Sequence, residues 1–419
     1  MLIDLTPLKV SRDYRLLFFG QLISFFGTMI SIVAINWQMY SLTGSSAMVG
    51  YIALAEFFPM VILAFVGGAI ADAFDRRRIL RLTEIGQALV TVVLLVNSLI
   101  AEPRIWVIFV AAALHAGLAA LQRPAFESFI QKVIPVELMS AVMALNSMRW
   151  SLGAVISPVV AGLITTAFGA TTAYTVDLVS FAASLAAVYL ISAAPAHENA
   201  DRPSVANVVA AWKYALSRPD LVGTYLIDIA AMLFAFPHAL YPALATVYGE
   251  KYLGFFYGAI ALGALAASLT SGWTKFVYRH GRMIVAAAAM WGVAIAAFGL
   301  ANNIWIALGC LLLAGFFDMI SGIFRGAVWN QTIPNFMRGR LASIEMMSYL
   351  TGPYLGSAKM GLVAERFGNA QALISGGIMC VVGVLVVTLF LPRFFNYDGR
   401  EGVRRREREE REREEVLES

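Results

Sequence analysis

The chain has 419 residues, of which 59% are hydrophobic and only 14% charged, with a formal net charge of +4. A soluble domain is closer to a quarter charged, so water is excluded as the main solvent. The basic residues sit at the ends of apolar runs, which excludes a nucleic-acid surface, and the two cysteines, Cys310 and Cys380, lie inside such runs and exclude a disulfide framework.

The stretch Met1 to Arg15 has no apolar core ahead of its charges and the first apolar run is too long for a signal, so no cleavable signal peptide is expected. Apolar stretches of about 20 residues then recur, continuous and not alternating, which predicts membrane-crossing helices and not barrel strands. Twelve are expected: 16–41, 46–71, 80–101, 105–127, 139–166, 172–193, 221–246, 252–274, 283–301, 304–325, 341–365 and 370–391. Lys and Arg collect in every second connection, from Arg76–Arg78 and Arg81 to Arg338 and Arg340, so both termini are expected in the cytoplasm.

Span 1 carries a polar stripe, Gln21, Ser24, Thr28, Ser31 and Gln38, at helical spacing. Lipid is a poor solvent for such a face, so it is expected to line a substrate cavity or a helix contact. Span 2 places Glu56 ten residues in, about 15 Å at the helical rise, and then exits through "GGAIADAFDRRR". Arg149 reaches a similar depth on span 5. A charge there costs at least about 2.5–3.5 kcal/mol on insertion scales, so both must be paired, neutralised or hydrated. A carboxylate whose proton affinity follows that balance is a proton-coupling candidate.

Asp177, near the outer end of span 6, is read as structural. The polar stretch from Ser192 to Pro219 reads as a linker with an amphipathic helix lying on the inner membrane surface. Span 7 is expected to present Thr224, Asp228 and His238 on one face with Phe234 at its flank. Asp318 and Arg325 follow on span 10, and Glu345 and Lys359 on span 11. The tail "GREGVRRREREEREREEVLES" alternates in sign and is expected to be a solvated helix laced with i,i+4 pairs.

The chain repeats itself. At a shift of 199, Ile105-Trp106 meets Ile304-Trp305, Ile134-Pro135 meets Ile333-Pro334, and Phe168-Gly169 meets Phe367-Gly368. Two six-span halves of the same topology follow, as in many secondary transporters. Ala264 stands at the position of Glu56 and Ser348 at that of Arg149, so these charges are not demands of the fold.

The span 2 exit resembles the signature of the major facilitator superfamily: Gly68, Asp72, Arg76 and Arg77 fit, and Asp75 replaces a usual glycine. "LGAVISPVVAG" (Leu152–Gly162, with Gly153, Ser157, Pro158 and Gly162) resembles the helix-5 motif of its exporters. "QRPAFESFIQKVIPVELMSAVMALNSMR" and "FMRGRLASIE" resemble the enterobactin exporter and macrolide efflux branch. The resemblance implies an all-α membrane protein with twelve transmembrane helices in two pseudo-symmetric six-helix bundles. It implies alternating access coupled to protons, with Asp72 meeting the cytoplasmic end of helix 11 near Arg338 and Arg340. It also puts Asp228 and Asp318 on cavity-lining helices.

The expected organisation is an N-terminal bundle over 1–193, a linker over 194–219, a C-terminal bundle over 220–392 and a charged cytoplasmic tail over 393–419. No HExxH, CxxC or phosphate loop is present, so an enzyme is not the reading and no cofactor or metal is expected. The first reading is a monomeric, proton-coupled exporter in the inner membrane, an antiporter for an amphipathic organic compound such as a siderophore or drug. A lipid or lysophospholipid translocator and a non-transporting membrane sensor or scaffold stay open.

Overall fold

The computed structural model describes residues 4–192 and 212–418, without the side chains of 64–73, 339, 340, 342, 343 and 416–418. The first part of the expected surface helix in the linker therefore lies outside the described residues; within them, 212–216 are helical. The helices are α1 (Thr6–Val10), α2 (Arg12–Thr43), α3 (Ser46–Ala73), α4 (Arg76–Leu99), α5 (Ile105–Val133), α6 (Met139–Leu190), α7 (Pro219–Ala235), α8 (Tyr241–Tyr248), α9 (Leu253–Leu269), α10 (His280–Leu300), α11 (Ile304–Thr332), α12 (Asn335–Phe367), α13 (Asn369–Phe390), α14 (Pro392–Phe395) and α15 (Gly399–Glu418). Among the described residues, ten stretches are long and apolar enough to cross a membrane, and the protein is a multi-pass membrane protein.

The helix edges follow local chemistry. Ser11 caps α2 by accepting from the Tyr14 N–H, and Asp75 caps α4 by accepting from the Arg78 N–H at 3.0 Å. α6 runs for 52 residues, about 78 Å if straight, far more than the ~30 Å of a bilayer core. Gly169 breaks it, with φ 82° and ψ 168°. Its repeat mate Gly368, between α12 and α13, adopts φ 90° and ψ 160°. Positive φ is easy only without a Cβ, so both repeats turn on the same residue type in the same conformation.

Span 7 does not run unbroken from 221 to 246. α7 stops at Ala235, Phe236 is extended (φ −90°, ψ 110°), and the chain passes through a short 3₁₀ turn, His238–Leu240, into α8. Pro237 supplies the reason: it has no N–H to donate and pushes the residue before it out of helical geometry. His238 therefore does not continue the face that carries Thr224 and Asp228.

By packing, the chain forms two compact units, Met1–Arg202 with Ala239–Gly258, and Pro203–His238 with Ala259–Ser419. The same neighbours recur in each. α2 packs on α6 and α7 on α12; α4 packs on α5 and α10 on α11; α4 packs on α6 and α10 on α13. In the first unit, the start of α9 lies on α6. A Cβ on Gly254 would strike the Pro158 carbonyl and the Val159 backbone, one on Gly258 would meet Val159 and the Val155 carbonyl, and one on Gly162 would strike the Gly254 backbone. Gly254 and Gly258 are four apart, so one face of α9 is bare, and backbones meet directly there.

The tail is helical and carries the expected i,i+4 pair Arg405–Glu409 at 3.4 Å, but it is docked, not free in solvent. Arg218, 2% exposed, donates to Glu409 at 2.6 Å, and the Tyr214 hydroxyl donates to the same carboxylate at 2.9 Å. The Asn335 N–H donates to Glu410 at 3.0 Å, Arg406 donates to the Asn330 carbonyl at 2.7 Å, and Arg413 stacks on the Phe336 ring. Thus α15 satisfies backbone groups at the end of α11 and the start of α12. Glu409→Ala leaves Arg218 with Asp220 at 3.5 Å as its remaining ion-pair partner. Hydrogen bonds to charged groups are worth about 1.5–3 kcal/mol, so the variant is expected to lower the melting temperature and to speed tryptic release of the Arg-rich tail. Digestion at the wild-type rate would show that α15 is held by other contacts.

Candidate functional site

Each unit buries polar side chains inside its helix packing. In the first unit, Glu84 on α4 is fully buried, and its Oε1 accepts from Gln21 Nε2 (2.7 Å), Gln122 Nε2 (2.8 Å) and Ser184 Oγ (2.9 Å). Gln87 extends the network to Gln122 at 3.2 Å. Glu84 Oε2 is buried with no hydrogen-bond partner. A second centre lies further along the same helices. Asp177 accepts from Ser31, from Thr91 at 3.2 Å and from Ser180 at 3.3 Å, and the Tyr174 hydroxyl donates to Gln38 at 2.8 Å. Every donor to these two carboxylates is a neutral amide or hydroxyl.

The span 1 stripe is thereby placed. Gln21, Ser31 and Gln38 spend polar atoms on α4 and α6, Ser24 is buried, and Thr28 is half-buried. Glu56, half-buried on α3, interacts electrostatically with Tyr257, whose hydroxyl accepts from Asn36 Nδ2 at 3.2 Å. Arg149 is not an ion-pair partner of Glu56 among the described residues. Its guanidinium sits 4.9 Å from the centre of the Phe126 ring and beside Tyr14.

The second unit holds charge against charge. Arg325 on α11 forms an ion pair with Asp228 on α7, both nearly buried, and lies 3.8 Å from Asp318, whose side chain is 36% exposed. Ser348 on α12 donates to the other Asp228 oxygen at 3.4 Å. Trp329 Nε1 donates to Thr224 at 2.9 Å one turn away. Tyr349 lies under the Arg325 guanidinium and donates to Glu345 at 3.3 Å. Lys359 donates to the Phe234 carbonyl at 3.0 Å, and the His238 ring lies tilted against Phe236, centres 4.1 Å apart.

At two repeat-related positions the basic residue is exchanged between the units. At the repeat shift, Phe126 corresponds to Arg325 and Arg149 to Ser348. In the first unit the arginine comes from α6 and lies on the ring from α5; in the second it comes from α11 and shares Asp228 with the serine from α12. The repeated backbone therefore offers the same two positions, and the sequence decides which carries charge.

The charged exit of α3 pins helix ends together. Arg76 is buried and donates to Ser128 at 3.0 Å; Arg77 donates to the Tyr189 and Val188 carbonyls, and Arg81 to the Tyr189 carbonyl. Cations at unpaired terminal carbonyls complement the negative end of the α6 dipole. Arg338 donates to the Asn330 carbonyl at 3.2 Å in the same manner. The side chains of Asp72 and Arg340 lie outside the described residues, and so does the expected contact of Asp72. In the helix-5 motif, a Cβ on Gly153 would strike the Phe25 ring, Ser157 is buried, and Pro158 and Gly162 meet Gly254 as above. Among the described residues, no group of three or more His, Cys, Asp or Glu could hold a metal ion.

Sequence reading missed Glu84, Gln87, Gln122 and Ser184. Expecting span 3 to begin at 80 made Glu84 an edge residue. The helix begins at Arg76, and Glu84, Gln87 and Thr91 then form a stripe at helical spacing that the rule applied to span 1 also recognises.

The model of the family described as "Transmembrane secretion effector" matches residues 4–409. An enterobactin exporter EntS of Citrobacter koseri is 26% identical over 94% of this chain and 96% of its own length, and one of Escherichia coli O1:K1 is 25% identical over 93% and 94%. A crystal structure of the nucleoside transporter NupG superposes with a TM-score of 0.74 at 10% identity, over 90% of this chain and 99% of that one. An inward-facing bacterial homologue of the iron transporter ferroportin gives 0.68 at 15% identity, over 92% and 98%.

Proposed function

The chain belongs to the transmembrane secretion effector family of major facilitator transporters, and from that premise we propose that it exports a small amphipathic organic compound of the siderophore class by alternating access. The observation that carries this reading is similarity to exporters along nearly the whole chain, 25–26% identity over 93–94% of it. The proposed architecture is twelve crossings in two six-helix bundles with both termini in the cytoplasm. Two of the crossings are the segments of α6 on either side of Gly169. The exporter is proposed to act as a monomer.

We further propose that transport is coupled to protons. Asp228 is engaged by Arg325, so its charge is pinned. Glu56 and Glu84 take part in no described ion pair, and the donors to Glu84 are all neutral, so a proton can come and go without breaking a salt bridge. Glu84, with one oxygen unpartnered, is the first candidate and Glu56 the second. Asp228, Asp318 and Arg149 set the charge against which a carrier works. Asp72, with Gly68, Arg76 and Arg77, is proposed to latch the cycle near Arg338 and Arg340.

A thermal-shift screen of purified protein against siderophores, antibiotics and lysolipids tests the substrate class. Stabilisation by siderophores supports the proposal. Stabilisation by lysolipids alone moves the reading to a lipid translocator, and no response from any of the three removes both.

A further inference from the structure

The end of α7 leaves backbone groups without helical partners. In a continuing helix the Leu233 carbonyl would accept from residue 237 and the Phe234 carbonyl from residue 238. Pro237 has no N–H, and Phe236, with φ −90° and ψ 110°, has already turned the chain out of the helix. Among apolar neighbours such carbonyls need a donor from elsewhere in the protein. Lys359 on α12 supplies one. Its Nζ donates to the Phe234 carbonyl at 3.0 Å and lies 5.5 Å from the centre of the Phe234 ring.

A lysine in an apolar helix ordinarily reaches along it for water. Lys359 stands eight residues before Phe367, the end of α12, about 12 Å at the helical rise. It takes part in no ion pair among the described residues. Its charge is met instead by the negative end of the α7 dipole and by the Phe234 ring.

The packing of α12 on α7 brings the ammonium there. Ser348, Gly352, Gly356 and Lys359 follow at steps of four, four and three, which is one face of a helix. Ser348 reaches Asp228. A Cβ on Gly352 would strike the Met232 side chain, and one on Gly356 the Met232 carbonyl; from α13, a Cβ on Gly376 would strike the Phe234 carbonyl. Missing side chains let backbones touch, so the lysine is delivered at a fixed level. The contact is polar at both ends, Asp228 with Ser348 and Phe234 with Lys359, and bare between them.

We infer that Lys359 is a positioning residue, a tethered cation that takes the place of the missing backbone donor and fixes where α7 ends. It acts through α7 on Asp228, six residues before Phe234 on the same helix. With the ammonium in place, α7 keeps its register on α12, and Asp228 keeps its level against Arg325 and Ser348. The part played in transport rests on the exporter reading; the cap itself does not.

The test is chemical rescue of the full chain in detergent. Lys359→Ala removes the stem with the ammonium and leaves room for a small amine. It is expected to lower the melting temperature by roughly 5 °C. Methylammonium, which carries N–H donors, is expected to restore most of that loss. Tetramethylammonium at the same concentration has the charge without a donor and is expected to restore none. Lys359→Met keeps an apolar stem in the space, so it is expected to fold, to show a loss and to resist rescue. In proteoliposomes the readout is counterflow exchange of a siderophore, which needs no pH gradient for the amine to dissipate. Lys359→Ala is expected to slow the maximal rate roughly tenfold with the half-saturating concentration unchanged, and methylammonium to recover it. A wild-type melting temperature in Lys359→Ala, no rescue of it by methylammonium, or equal rescue by both cations overturns the cap. Exchange at the wild-type rate in Lys359→Ala overturns its part in transport. Wild-type protein that exchanges no siderophore contradicts the exporter reading instead, and the melting temperatures alone then decide the cap.

Discussion

Replacing Arg325 with Met is expected to lower stability by about 3–5 kcal/mol and to abolish transport. Its ion-pair partner Asp228 is 4% exposed, and the one other described donor to that carboxylate is the Ser348 hydroxyl at 3.4 Å. Removing the cation strands a charge inside the packing of α7, α11 and α12, the costly way to break a buried pair. Asp228→Leu combined with Arg325→Met removes both charges and is expected to recover most of the lost stability, because Asp318 is exposed enough to be hydrated. Transport is expected to stay absent in the double variant. Melting temperatures and transport for the two single variants and the double form a cycle. A double variant that transports would reduce the ion pair to a packing element, and a stable Arg325→Met would show that Asp228 is not held by that arginine.

Gly254→Leu carries the second large effect. The side chain has no room, because its first carbon already strikes the Pro158 carbonyl and the Val159 backbone. Backbone cannot turn aside as a flexible side chain can. Overpacking of this kind costs about 1–3 kcal/mol, and α9 must also lift from α6, losing the Gly162 and Gly258 contacts on the same face. Transport is expected to fall at least tenfold. Gly326→Ala is the control, since a Cβ there meets nothing within 4 Å; it is expected to leave transport unchanged and to be neutral or stabilising by about 0.5–1 kcal/mol, the helical preference of Ala over Gly. Equal behaviour of the two variants would show that the crossing tolerates separation.

The sequence made the membrane crossings and the repeat legible because both are set by simple rules. An apolar run must be long enough for the bilayer, and a turn that needs positive φ selects glycine, which is why Gly169 and Gly368 match in residue type and in conformation. Asp75 departs from its family motif and still explains itself, as the cap of α4. Other features depend on tertiary neighbours. That Arg325 and not Arg149 would hold a carboxylate follows from which helices face each other across each unit. The docking of α15 rests on buried Arg218, which precedes α7 and reads in sequence as one more cytoplasmic charge. The break at Phe236 was within reach of sequence rules through Pro237, but the apolar run around it hid the interruption.

The central claim is that substrate moves against its gradient at the expense of protons through this chain alone. Gradient-driven siderophore accumulation in proteoliposomes containing the purified protein tests it most directly, with Glu84→Gln assayed in parallel. The expected result is accumulation that requires an imposed pH gradient and collapses with a protonophore. Glu84→Gln is expected to lose the gradient-driven component but keep counterflow exchange. Substrate movement that is equal with and without the pH gradient, or lipid movement in place of substrate movement, would contradict the claim.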